Sequence, residues 1–236
     1  MTKGRWIAFA VICVAVFGVL ILNNKGSGVD VSKIDPSKVI TNNDPLPDHV
    51  SGSSSDKVVL IQYGDFQCPA CGNLYPIITP LTDYYKNQLT FVFRDFPLTS
   101  LHPNALAAAT AAEAAGLQGK FWQMHHILYE NQAQWSNLDA NSRTAQFVAY
   151  AKQIGANTTQ FQKDLNNPKV AKKIERDQAL GAKINVSATP TLVLNGQTLD
   201  QSKWQTGQIL ENTIRAAIKA SGQTLPPVMP QTQASA

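Results

Sequence analysis

The chain has 236 residues, 44% of them hydrophobic and 15% charged, with a formal net charge of +4. That length suits one globular domain with additions, at ~100–200 residues per domain. The composition excludes a disordered or collagen-like chain, and so mild a charge without a basic block gives no reason to expect a nucleic-acid partner.

Trp6 to Leu22 is a charge-free apolar run of 17 residues. As a helix it spans ~25 Å, just under a hydrocarbon core of ~30 Å. Lys3 and Arg5 precede it, so the N-terminus is expected in the cytoplasm and the rest across the membrane. Residues 1–22 therefore read as a single-pass anchor in the cell membrane, with the remainder extracytoplasmic. The alternative is a cleaved signal peptide, for which Gly26-Ser27-Gly28 is a weak site. Cys13 follows Ile12 inside the run and reads as an apolar membrane residue. Residues 23–56 read as a flexible tether, with Gly52-Ser53-Ser54-Ser55 as its most linker-like part and a strand hint at Val39-Ile40.

A domain is expected over 57–222. Val58 to Ile61 is a continuous apolar run, as in a strand buried on both faces. A helix should start at Pro69, where proline suits the first turn, and Pro76 and Pro80 should kink or interrupt it. Leu89 to Phe96 is a second strand. Alanine-rich Asn104 to Leu117, then Phe121 to Asn131, Ser142 to Ile154 with a serine cap, and Asn157 to Leu165 predict a helical block. Asn167-Pro168 opens a helix to about Ile184. Thr191 to Leu194 is a strand, and Asn195-Gly196 predicts a hairpin into another. Thr206 to Ala220 is an amphipathic helix, and the proline-containing tail 223–236 reads as disordered. The order implies an α/β fold, a central sheet with helices on its faces.

Cys68-Pro69-Ala70-Cys71 falls where the first strand ends and a helix begins. This spacing can close a small disulfide ring. Cys68 at a helix N-terminus meets unpaired N–H groups and the positive end of the dipole, which favour a thiolate. A thiolate of low pKa is also a good leaving group. The competing readings are half of a zinc site, for which no second C-x-x-C exists, and an inert structural disulfide. Redox chemistry is the leading reading.

Three segments carry a resemblance. Gly64-Asp65-Phe66-Gln67-Cys68-Pro69-Ala70-Cys71-Gly72 with Pro76, then Arg94-Asp95-Phe96-Pro97-Leu98 with His102 and Gln118 to Trp122, then Val186 to Thr191 with Asn195-Gly196, resemble DsbA-like thiol–disulfide oxidoreductases over about Lys57 to Gly222. The resemblance implies a thioredoxin fold, a central mixed sheet flanked by helices, with a helical insertion at about 101–186. It implies catalysis by Cys68 and Cys71, with no cofactor and no metal. It also implies a cis Pro190 facing the cysteines, beside a Thr189 backbone that can pair with an extended substrate. Gln62 departs from the family, which often carries a buried acid there to handle the proton of the second cysteine. Ala70 departs from relatives with histidine between the cysteines.

The implied activity is oxidation of unfolded secreted proteins with free thiols. A membrane quinone-linked protein of the DsbB or vitamin-K-epoxide-reductase type would reoxidise the enzyme. A reductase or isomerase on the same fold, or a redox-inactive peptide-binding module, are the alternatives. Other residues read as non-catalytic: His125-His126 as structural or surface residues, Phe121-Trp122 as a packing pair, and Asp65 as a turn former, with modulation of the nearby Cys68 as its alternative. Lys169, Lys172, Lys173 and Arg176 read as a solvated basic helix face.

Overall fold

The computed structural model describes residues 29–41, 44–53 and 57–230. The apolar run read as a membrane anchor lies outside the described residues, among which no helix is long and apolar enough to cross a membrane. Five described strands form one sheet: β1 (His49–Gly52), β2 (Val59–Gly64), β3 (Thr90–Asp95), β4 (Thr191–Leu194) and β5 (Gln197–Thr198). Their order is β1-β3-β2-β4-β5. β2 and β3 are parallel, and every other pairing is antiparallel. The continuous apolar run thus becomes the central strand, buried along its whole length.

The helices are α1 (Pro69–Tyr84), α2 (Ala105–Gly116), α3 (Phe121–Glu130), α4 (Gln132–Trp135), α5 (Ala140–Gln153), α6 (Thr158–Asp164), α7 (Pro168–Lys183) and α8 (Gly207–Ala220). Leu60 and Leu192 on one face of the sheet pack on Leu74 and Ile78 of α1 and Leu210 and Ile214 of α8. Ile61, Tyr63 and Val193 on the other face meet Leu180 of α7. The helical block between β3 and β4 is centred on α2. Alanines 108, 109, 111, 112, 114 and 115 are all buried, and their small side chains let α3, α5, α6 and α7 all approach that one helix.

Several local expectations are corrected. α1 continues through Pro76 and Pro80, although each ring lacks the N–H that would bond the carbonyl four residues back. Packing of Leu74, Ile78 and Leu81 against the sheet keeps the helix continuous. The cap of α5 is Asp139, whose carboxylate accepts the N–H groups of Asn141 and Ser142, rather than a serine. The Asn195-Gly196 hairpin does form, with both residues at positive φ (49° and 83°) as such a turn requires.

The stretch read as a tether packs against the domain from residue 31 onward wherever it is described. β1 extends the sheet beside β3, and the buried Arg94 guanidinium donates to the carbonyls of Pro36 and Lys38 and to Asp48. The tail read as disordered is held as far as Met229. Arg215 donates to the Pro226 and Pro227 carbonyls, and Glu211 accepts the Met229 N–H. The basic face of α7 is solvated only in part. Lys173 and Arg176 are 3% and 1% exposed. Lys173 Nζ lies 2.5 Å from Asp177, and Arg176 bridges Asp177 and Asp48. Leaving those charges unpaired in the interior would cost several kcal/mol each, so the acids of β3, α2 and the N-terminal segment gather around them.

Candidate active site

The dithiol sits at the end of β2, where the chain turns into α1. Cys68 is the cap residue, with extended backbone (φ −67°, ψ 123°), and Pro69 occupies the first turn. Pro69 and Ala70 are exposed, while Cys68 and Cys71 are 6% and 0% exposed. Both cysteines are free thiols. The three-residue spacing places both sulfurs on one side of the first helical turn, Cys68 at the rim and Cys71 against the core.

The loop before β4 closes the site. The Thr189–Pro190 peptide is cis, and the Cys68 thiol donates to the Thr189 carbonyl at 3.3 Å. The buried Thr189 side chain favours the thiolate form of both cysteines.

The two sulfurs are driven apart. A hydrogen bond from the Cys71 thiol stabilises the Cys68 thiolate most. The Thr189 side chain and the N–H groups of Cys71 and Ala70 add to it against the opposing effect of burial, bringing Cys68 from 9.0 to about 5. Burial raises Cys71 well above its ordinary value, and the bond to Cys68 and the Cys68 charge push the same way. These are the desolvation, hydrogen-bond and charge effects that ordinarily tune a thiol.

Gln62 shares the α1-covered face of β2 with Leu60. It is 2% exposed, and its Oε1 lacks a hydrogen-bond partner. The position therefore holds a buried neutral amide and no acid.

Several contacts of the site carried no signal in the sequence. Gln132 of α4 donates to the carbonyls of Phe66 and Cys68 at 2.7 and 2.9 Å. It lies so close to Gly72 that a Cβ there would stand 2.6 Å from its Oε1. Gln67 accepts the Asn104 N–H at 2.6 Å and donates to the Ser136 carbonyl. These amides fasten the cysteine loop to the helical insertion. Asp65 does form the expected turn by accepting the Gln67 N–H, and its other oxygen reaches His102. His125 is caged by Phe66, Phe93, Trp122 and Tyr129, and neither ring nitrogen has a partner.

One buried trio, Asp95, Glu113 and Asp177, has the spacing of a metal site. Lys173 is already among them, 2.5 Å from Asp177 and 3.5 Å from Glu113. Burial opposes ionisation of Glu113, yet Lys173 and His49 hold it down at about 2, while burial and the Glu113 charge raise Asp95 well above the carboxylate range. The Lys173 ammonium thus already supplies positive charge within the trio.

Residues 45–214 match the family model described as Thioredoxin. The Na(+)/H(+) antiporter NhaA 1 of Mycolicibacterium vanbaalenii is 37% identical over 157 residues, which is 65% of this chain and 24% of the antiporter. That of Salinispora arenicola is 38% identical over 154 residues, 65% of this chain and 22% of the antiporter. The chain thus spans about a quarter of the length of these curated relatives. Among solved structures, a thioredoxin-like oxidoreductase from Silicibacter pomeroyi is similar with a TM-score of 0.57 and 26% identity, covering 72% of this chain and 93% of that one. BdbD from Bacillus subtilis is similar at 0.62 and 23%, covering 72% and 92%. The α-DsbA1 of Wolbachia pipientis is similar at 0.62 and 19%, covering 75% and 94%. The mixed sheet, the helical insertion and the extent of the family match lead to one conclusion: this chain belongs to the thioredoxin family.

Proposed function

We propose that the chain is a protein thiol–disulfide oxidoreductase working as an oxidase of extracytoplasmic proteins. The observation that carries this reading is the opposite displacement of the two sulfurs, Cys68 down to about 5 and Cys71 well up. In the disulfide form, a substrate thiolate attacks Cys68 Sγ. The Cys68–Cys71 bond breaks, and Cys71 leaves with the electron pair and takes up a proton. A second substrate thiolate then attacks the substrate sulfur of the mixed disulfide. Cys68 departs as a thiolate, and two electrons have passed to the enzyme. A low-pKa sulfur leaves readily, so this last step is favoured. Cys71, still beside Cys68, can instead attack Cys68 and abort the intermediate.

Unfolded secreted proteins with free thiols are the proposed substrates. The apolar run Trp6 to Leu22 behind Lys3 and Arg5 supports a membrane tether and an extracytoplasmic domain. A tether raises the effective concentration of a membrane partner. A quinone-linked reoxidising protein, of the DsbB or vitamin-K-epoxide-reductase type, is the proposed one. The name of the Silicibacter pomeroyi relative supports oxidoreductase chemistry. Antiport is not proposed for a chain that covers about a quarter of the antiporters it matches.

The test is the Cys68–Cys71 reduction potential, measured by equilibration with glutathione. An oxidase should lie above about −200 mV, on the DsbA side of the glutathione pool. A value near the ~−270 mV of thioredoxin would reverse the direction of electron flow and make the protein a reductase.

A further inference from the structure

Asp65 is the most heavily tied residue of the loop that presents Cys68. It is 1% exposed. Its Oδ1 accepts the Gln67 N–H at 2.8 Å, and its Oδ2 accepts the Leu98 N–H at 3.0 Å. His102 Nδ1 lies 2.7 Å from the same Oδ2. The Asp65 carbonyl accepts the Cys68 N–H at 3.1 Å and the Tyr129 hydroxyl at 3.4 Å, and the Asp65 backbone also favours the Cys71 thiolate. One residue thereby ties the approach to the dithiol to the loop that follows β3 and to Tyr129.

A turn needs only the Gln67 bond. It does not require an imidazole, and it gains nothing from a carboxylate buried three residues from a thiolate, whose charge works against that thiolate. The imidazole supplies what the turn reading leaves unexplained. Its N–H offsets the carboxylate charge and fixes which way the carboxylate faces. The His102 side chain is 19% exposed and that of Asp65 is 0% exposed, so the histidine also links a fully buried acid to solvent.

We propose that Asp65 and His102 are a positioning pair for Cys68. The His102 Nδ1–H bond holds the Asp65 carboxylate so that the Gln67 and Cys68 N–H groups stay on their acceptors, and it draws the carboxylate charge away from the Cys68 sulfur. The pair rests on Cys68 as the reactive sulfur and is independent of the direction of electron flow.

The test is a pH titration of the Cys68 thiolate in the reduced full chain, followed by thiolate absorbance and by the rate of alkylation, with the melting temperature recorded alongside. His102→Leu removes the donor. It should raise the Cys68 midpoint by about one unit, roughly a fivefold loss of thiolate at pH 5. His102→Gln keeps an N–H within reach of Oδ2 and should recover most of that loss. In an Asp65→Asn background, His102→Leu should leave the midpoint unmoved, because the charge it compensated is gone. Should the leucine variant not fold, His102→Phe, which also lacks the donor, takes its place with the same expectation. An unchanged midpoint with a lowered melting temperature would make the histidine merely structural. Equal shifts in the leucine and glutamine variants, or a full shift in the Asp65→Asn background, would likewise overturn the pair. The titration uses no substrate, so an unfavourable potential that sank the oxidase reading would leave its outcome intact.

Discussion

Reduction of the Cys68–Cys71 pair should make the protein progressively more stable, relative to the disulfide form, as pH rises from 4.5 to 7.5. Cys68 falls from 9.0 to about 5 in the folded dithiol. A depressed folded pKa contributes stability that is complete above the unfolded value and is lost as pH falls through the folded one. At pH 7.5 about 2.5 units of the shift are in effect, or ~3.4 kcal/mol at 1.36 kcal/mol per unit. At pH 4.5 almost none remains. Cys68 lies at the rim of the fold, so solvent screening reduces the gain to about 1.5–3 kcal/mol. Cys71 is protonated in both folded and unfolded states over this range and adds nothing. The disulfide has no thiolate, and closing so small a ring gives a pH-independent stabilisation of ~2 kcal/mol. Buried groups such as Glu113 and His125 are present in both redox forms, so their pH dependence cancels in the difference. For a domain of this size, ~2–4 °C per kcal/mol makes the gap between reduced and oxidised melting temperatures grow by on the order of 5 °C across the window. Thermal unfolding by circular dichroism, with and without reductant, measures it. Parallel curves for the two forms would refute the reasoning, because they would mean that the folded protein does not favour the Cys68 thiolate.

Gln62→Glu should speed resolution of a mixed disulfide by Cys71 near neutral pH and destabilise the fold by about 1–3 kcal/mol, since it buries an acid on an apolar face. Stopped-flow kinetics on a preformed mixed disulfide reads the rate, and an unchanged rate would mean that another group already takes the Cys71 proton. His125→Phe should stabilise the protein at acidic pH. Burial depresses the folded pKa of His125 well below 6.5, so the unfolded chain binds a proton that the folded one does not. Stability then falls by up to ~1.4 kcal/mol per pH unit below about 6.5. Phenylalanine fills the same aromatic cage without that proton, and an identical acid slope in the variant would show that His125 is not responsible.

How much of this was legible from sequence depends on how local each cause is. Cys68-Pro69-Ala70-Cys71 at a strand-to-helix junction, the Asn167 cap with Pro168, and the Asn195-Gly196 turn are encoded within a few residues, and each forms. The helix over Ala105–Gly116 was legible from its alanines. The fate of Lys173 and Arg176 was not, because their partners come from distant parts of the chain. Arg176 meets Asp48, 128 positions away. A basic stripe reads the same whether water or a buried acid faces it. β1 was hidden for a similar reason. His49 to Gly52 has no apolar run, and its strand exists because β3 offers an unpaired edge and Trp122 donates to the Val50 carbonyl. At the site, the cysteines were visible as a motif, but Gln132 sits 64 positions beyond the Cys68 carbonyl it holds, and no spacing rule reaches that far.

The asymmetry of the dithiol bears on direction as well as on reactivity. At pH 7, lowering Cys68 from 9.0 to about 5 raises its thiolate fraction from roughly 1% to nearly all, about a hundredfold. Each thiolate becomes a poorer nucleophile, by about forty- to a hundredfold for four units at a Brønsted coefficient of ~0.4–0.5. The two effects nearly cancel, so Cys68 attacks a disulfide about as fast as an ordinary cysteine would. Departure has no such cancellation, because a sulfur of lower pKa leaves faster from every mixed disulfide it enters. Cys71 works in the opposite sense, since burial holds its proton in place. It is slow to become the thiolate that would reclaim Cys68, and the neutral amide of Gln62 offers it no base. On the proposed oxidase reading, a mixed disulfide at Cys68 must survive until a second substrate thiol arrives and then release Cys68 readily, and a low-pKa Cys68 beside a buried Cys71 favours that partition.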